Sequence, residues 1–413
     1  MSENPHRPLT RANWLVLLAA FLGWLFDGFE IGLFPLVAGP ALRDLLGHPT
    51  EDVIAQWMGI ITALFLLGAA SGGIVFGWLG DRIGRVRAMS LSILTYSLCT
   101  GLGYFAGHPW QIGLFRFLAA LGMGGEWSLG VALVMECWPD RWRPWLAGAI
   151  GAAANVGMVL VALIRMSLQV TEESWRIMFL VGAGPAVLVF LIRLFVPESE
   201  RWKAAVEHGT THPVREVFSP ALRGQTLLGI AFAAVALVGT WGSIQWIPLW
   251  VGTLPGNAAG RAAESQLVSS LGAVVGSLLA PLVGGRIGRR ATYFGLCIVS
   301  LVVCQVLFRA FAEYSSGLLW MITLTGATTA SFYGWLPLYL PELFPTRMRA
   351  TGQGVCFNFG RILAAIGAIT QGRLVGYFDG SYAMAGATIT FIYLAGAAMI
   401  WLGRETKGKP LPE

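Results

Sequence analysis

Twelve stretches of about 20 apolar residues run through this chain, each long enough to cross a hydrocarbon core of roughly 30 Å as a helix. They fall at 14–39, 54–79, 88–107, 110–135, 145–167, 176–196, 226–251, 265–283, 291–311, 317–340, 350–373 and 380–402. Only 12% of the 413 residues are charged, against about a quarter in a soluble domain. So little charge cannot cover a soluble surface, and a bilayer must be the solvent. The reading is an all-α integral membrane protein of twelve transmembrane helices in two six-helix bundles. Residues 1–196 form the N-terminal bundle, 197–225 a cytoplasmic central loop containing Pro197, Pro213 and Pro220, and 226–413 the C-terminal bundle with a short tail.

The basic residues set the orientation, because cytoplasmic loops carry the excess of Lys and Arg. With both termini inside, the inner loops hold Arg82, Arg85 and Arg87, then Arg286, Arg289 and Arg290, and most of the 28 basic residues overall. The outer loops hold Asp44, Glu51, Asp52, Glu172, Glu173, Glu264, Glu313 and Asp379. The net charge of +6 is therefore a topology signal; no basic block suits nucleic acid. Five scattered cysteines form no CxxC pair, so no metal site or disulfide framework is expected. No removable signal peptide is indicated, since the first 13 or so residues are polar and precede no short apolar core with a cleavage site.

The two sets of six helices repeat each other. Gly77-Trp78-Leu79-Gly80-Asp81-Arg82-Ile83-Gly84-Arg85 is echoed by Gly284-Gly285-Arg286-Ile287-Gly288-Arg289-Arg290, about 204 positions later. Glu136 to Arg143 is echoed by Glu342 to Arg349 at a nearly equal offset. Parallel halves with a site between them near the midplane are a transporter plan.

These motifs resemble those of the major facilitator superfamily over nearly the whole chain. Gly77–Arg85 is similar to its loop 2–3 signature and Gly284–Arg290 to the loop 8–9 copy. Pro197-Glu198-Ser199-Glu200-Arg201-Trp202, Pro341–Ala350 and Glu405-Thr406-Lys407-Gly408 resemble the sugar-porter branch. Asp27-Gly28-Phe29-Glu30 and Gly124-Gly125-Glu126-Trp127 are more similar to proton symporters for aromatic and other organic acids. The helix 7 glutamine pair of sugar porters is absent; the region reads Trp241-Gly242-Ser243-Ile244-Gln245-Trp246.

Ionisable groups inside a membrane are expensive, and by default functional. Helical rise puts Asp27 and Glu30 about 20 and 24 Å from the inner end of helix 1. It puts Arg116 of helix 4 about 21 Å from the inside. The depths match, and the expectation is that Glu30 or Asp27 carries a proton while Arg116 tunes it. The resemblance implies the same, since sugar-type proton symporters place an acid at the Glu30 position and an arginine at the Arg116 position. Glu126, about 6 Å from the inside, is a candidate second relay. Arg361 lies about 17 Å into helix 11, with Asn358 one turn before it; together they are candidates for binding a carboxylate, which suits the planar guanidinium. Trp241, Gln245, Trp246, Tyr333 and Trp335 are expected to line an aromatic pocket with polar handles. Asp81, Arg82, Arg85, Glu136 and Arg141 are expected to gate the cytoplasmic face together with Arg286, Glu342, Arg347 and Glu405.

The sequence therefore points to a proton-coupled symporter of a small organic anion, such as an aromatic carboxylate, in the cytoplasmic (inner) membrane. A monomer in the lipid bilayer with no cofactor beyond the coupling proton is expected. A sugar or polyol symporter, a drug or metabolite exporter, and a non-transporting membrane sensor are the alternatives. An enzyme is not expected, because no His lies inside an expected helix.

Overall fold

The structure is a computed structural model, and it describes residues 11–83, 85–125, 142–184, 213–255, 260–345 and 349–409, with positions 134, 138 and 412. Among these residues there are helices and turns but no strand. In lipid this follows from physics: a helix satisfies its own backbone N–H and C=O groups where no water can.

The first half contains α1 (Arg11–Leu46), α2 (Glu51–Ile83), α3 (Arg85–Leu102), the first part of the fourth stretch as α4 (Pro109–Met123), α5 (Arg143–Leu168), and the start of the sixth as α6 (Arg176–Gly182). The second half contains α7 (Arg223–Thr253), α8 (Arg261–Ile287), α9 (Arg289–Ala310), α10 (Ser316–Tyr339), α11 (Arg349–Tyr377) and α12 (Tyr382–Leu402). Eight helices of the described residues are long and apolar enough to cross a membrane.

Local chemistry sets the helix ends. Pro109 stands at the first turn of α4, and Gln111 Oε1 accepts from the backbone of Gly107 and His108 at 2.7 and 3.0 Å. Ser315 and Ser381 cap α10 and α12 by accepting from Leu318 N and Met384 N, each at 3.2 Å. α7 is broken: helix Arg223–Gly242 ends at Ser243, and a 3-10 turn Ile244–Trp246 leads into Ile247–Thr253. The Trp246 indole donates to Trp241 O at 3.0 Å and staples this break. Interrupted helices recur at the binding sites of transporters.

Packing repeats every six helices. In the first half α1 packs on α5, α2 on α4 and α3 on α4; in the second, α7 packs on α11, α8 on α10 and α9 on α10. The halves meet where α2 packs on α11 and α5 on α8. Small residues permit these approaches, as is usual where lipid supplies no hydrophobic drive between helices. A Cβ on Gly28 would collide with the Ala154 carbonyl, and one on Gly151 would meet the Tyr333 carbonyl at 2.6 Å. The first contact joins α1 to α5, and the second joins the two halves. Exposed Leu98, Val275, Trp320 and Ile366 face outward, as a lipid-facing surface requires.

Candidate functional site

Two neighbouring centres lie inside the bundle, on different faces of α1. The first is an ion pair. Arg116 Nη1 of α4 donates to Glu30 Oε1 of α1 at 2.7 Å and to the Glu30 carbonyl at 3.0 Å. Glu30 is 1% exposed and Arg116 3%. The guanidinium also lies over the rings of Phe65 at 4.3 Å and Phe34 at 5.3 Å, a favourable placement for a desolvated cation. The other carboxylate oxygen, Glu30 Oε2, is buried away from the Arg116 nitrogen that holds Oε1. It faces Gly182 of α6, 3.5 Å from the position a Cβ would take there.

The second centre is a cavity between the halves. Trp24 and Ile31 of α1, Asn155 of α5, Trp241 and Gln245 of α7, Gln266 and Ser270 of α8, Thr329 and Tyr333 of α10, and Phe357 and Arg361 of α11 are among its walls. Arg361 is the one charged residue among the described residues that line it. Its Nη1 donates to Asn358 Oδ1 at 3.0 Å, and its guanidinium lies 4.8 Å from the centre of the Phe357 ring. Asp27 of α1, buried and one turn from both Trp24 and Ile31, lies within electrostatic reach of Arg361.

Aromatic contacts connect the centres. The Phe65 ring, which carries the Arg116 guanidinium, is 5.5 Å from that of Trp241, which lines the cavity. Phe65 belongs to α2 and Trp241 to α7, so the connection crosses between the halves.

Three expected pocket residues lie elsewhere. Trp335 is fully buried near the α8–α9 junction, donates to Arg289 O at 3.1 Å and stacks on Tyr339 at 4.5 Å. Trp246 turns back to hold the α7 break and packs 6.3 Å from Tyr382. Asn358 lies against Gly73 of α2 and orients Arg361 from outside the lining. The sequence reading missed the polar wall of Asn155, Gln266 and Ser270. Its signal was present: an amide inside the apolar fifth stretch, and amide and hydroxyl groups at helical spacing in the eighth.

Arg165, buried in α5, donates to Leu36 O at 3.3 Å and Val170 O at 3.1 Å. It ties α1 to the end of its own helix.

At the α8–α9 end the charge network differs from the expected one. Arg286 is exposed and pairs with no acid among the described residues; its carbonyl accepts from Lys407 Nζ at 2.6 Å. Arg289 takes the role instead, donating to Glu342 at 2.6 and 3.0 Å. The reason is the turn. Gly288 has φ of 109°, a conformation that suits glycine, and the reversal starts α9 with Arg289 aimed at Glu342. Glu405 accepts from the backbone N–H of Arg289 at 2.9 Å and of Arg290 at 3.1 Å, so the tail caps α9. Burial alone would raise the Glu405 carboxyl, but the backbone N–H groups of Arg289, Lys407, Arg290 and Thr406 hold it below its ordinary range. Thr406 adds a bond to Glu342 at 2.6 Å. Glu126, Glu136, Arg141 and Arg347 lie outside the described residues, as do the side chains of Asp81, Arg82 and Arg85.

At the opposite end the halves are bridged. Tyr382 Oη of α12 donates to Glu51 of α2, with its carboxylate at 3.0 Å and its carbonyl at 3.2 Å. Arg43 of α1 holds the same carboxylate at 2.8 Å.

An all-helical membrane bundle with a central cavity between repeating halves is the architecture of a transporter. The chain belongs to the Major Facilitator Superfamily, whose family pattern matches residues 16–367. It is 28% identical to the cis,cis-muconate transport protein of Acinetobacter baylyi over 90% of each chain. It is 27% identical to the niacin transporter NiaP of the same organism, covering 100% of this chain and 98% of that one. Among solved structures, the proton:xylose symporter XylE bound to 6-bromo-6-deoxy-D-glucose matches with a TM-score of 0.76 and 18% identity, over 97% of this chain and 98% of that one. That likeness concerns the fold.

Proposed function

We propose that this multi-pass transporter carries a small organic anion together with a proton. Arg361 takes the carboxylate, and Glu30 takes the proton. The observation that carries this reading is Arg361, a lone cation in the described lining of a cavity otherwise apolar, aromatic or neutral. A guanidinium matches a carboxylate with two parallel hydrogen bonds, and Trp24, Trp241, Tyr333 and Phe357 suit a flat ring beside it. Relatives named for muconate and niacin transport support an anion.

In the proposed cycle, protonated Glu30 loosens its hold on Arg116. The guanidinium then shifts on Phe65, and Phe65 moves Trp241 in the cavity wall. Occupancy of the cavity and protonation at α1 thereby favour the same rearrangement of the halves. The loop 2–3 and loop 8–9 ends lie on the cytoplasmic side in this reading, and Arg289, Glu342 and Glu405 serve the inner gate. Proteoliposome uptake of benzoate tests the anion assignment. Arg361→Gln is expected to lower apparent affinity at least tenfold, the scale of one lost charge-assisted bond pair. Unchanged affinity would remove the assignment.

A further inference from the structure

The polar wall of the cavity has a hydrogen-bond polarity of its own. Asn155 Nδ2 donates to Gly151 O at 3.2 Å and to Ser277 Oγ at 3.3 Å. Ser277 cannot take the opposite role, because its own hydroxyl donates to Ala330 O at 3.0 Å. The Asn155 amide is therefore fixed with both N–H groups committed to protein and Oδ1 left for the cavity that the residue lines. Gln266 Nε2 likewise donates to Ser270 Oγ at 2.9 Å, leaving Oε1 as its acceptor in the same lining.

Arg361 is the reverse. It has five N–H donors and no acceptor, and the bond to Asn358 occupies part of that capacity. The cavity thus offers donors from α11 and acceptors from α5 and α8. We infer that it selects a monocarboxylate carrying a hydrogen-bond donor, such as a ring hydroxyl, away from the carboxylate. This inference rests on the organic-anion reading and narrows it.

The selectivity has a physical source. A ligand lacking the donor leaves Asn155 Oδ1 desolvated without a partner, which a site built for a hydroxyl penalises heavily. A dicarboxylate brings a second anion against the same oxygen and is disfavoured further. The ring itself is accepted equally in each case, since the aromatic walls do not distinguish these ligands.

The test is binding to the purified full-length protein in detergent, measured by calorimetry with benzoate, 3- and 4-hydroxybenzoate, the matching methoxybenzoates and terephthalate. The better hydroxybenzoate is expected to bind at least about tenfold more tightly than benzoate or its methoxy analogue, with terephthalate weakest. Asn155→Leu is expected to bring the affinity ratio of hydroxybenzoate to benzoate down to about one, whatever the variant does to binding of the ring itself. Ser277→Ala, which frees the amide to turn without removing it, is expected to reduce the discrimination part of the way. It also supplies the answer if Asn155→Leu fails to fold. Equal binding of benzoate and hydroxybenzoates by the native protein would overturn the inference and leave the anion reading standing. Full discrimination retained in the folded variants would overturn it too. Absence of binding by every carboxylate would instead remove the anion reading, and this inference with it.

Discussion

A single nitrogen of Arg116 serves two acceptors of Glu30, its carboxylate at 2.7 Å and its backbone carbonyl at 3.0 Å. The cation is therefore tied to the α1 backbone as well as to the acid. Loss of the carboxylate charge loosens the arrangement without abolishing it, as a reversible coupling element requires.

The two partners should differ when removed. Arg116→Leu leaves a buried carboxylate without its cation and is expected to destabilise the protein by about 3–5 kcal/mol. Glu30→Gln keeps an acceptor for the guanidinium and should cost clearly less. Thermal unfolding of the two variants in detergent checks the order, and equal losses would mean that the pair is not the dominant contact.

Phe65 lies between the ion pair and the cavity, touching the Arg116 guanidinium on one side and Trp241 on the other. Phe65→Leu preserves apolar volume but removes the ring. It is expected to reduce the dependence of substrate affinity on pH at least about threefold, with substrate affinity at the favourable pH little changed. The comparison is of binding curves measured across pH for the variant and native protein.

Much of this arrangement was legible in the sequence. Eight of the twelve expected spans appear among the described residues as helices long and apolar enough to cross a membrane, and the matching depths of Glu30 and Arg116 anticipated their contact. The lone mid-membrane arginine of helix 11 does line the cavity. Rotation about a helix axis was harder to read. Trp246 and Trp335 sit in the right segments, but a broken α7 and the Arg289 carbonyl turn their indoles elsewhere. Arg286 and Arg289 differ only by the side of Gly288 on which they lie, and a backbone angle of 109° decides which one meets Glu342. The polar wall was overlooked because Asn155, Gln266 and Ser270 are uncharged, and their significance appears only when two helices bring them to one surface.

The Tyr382–Glu51 bridge joins α12 to α2 across the halves. Its rupture is required for the halves to part at that end. Tyr382→Phe removes the hydroxyl while keeping the ring on Trp246, and is expected to shift the conformational balance toward opening there by about 1 kcal/mol, or roughly fivefold. Labelling of a cysteine placed in the cavity wall by an impermeant maleimide applied from that side should speed up accordingly. An unchanged labelling rate would show that the bridge does not hold the halves.

The tail cap depends on pH through Glu405. Its carboxyl is held below the ordinary range in the folded state, so its contribution is complete above the unfolded value and is lost as pH falls through the folded one. Acidification below the ordinary carboxylate range is therefore expected to release the 405–409 tail, and Glu405→Gln to release it at neutral pH. Hydrogen exchange at the Arg289 and Arg290 amides reports the change directly.

The central claim is that Glu30 carries the coupling proton. In proteoliposomes with an imposed pH gradient, Glu30→Gln is expected to abolish uphill accumulation of the carboxylate while retaining exchange of labelled for unlabelled substrate across the membrane. Accumulation by Glu30→Gln at the native level, driven by the same gradient, would contradict the account.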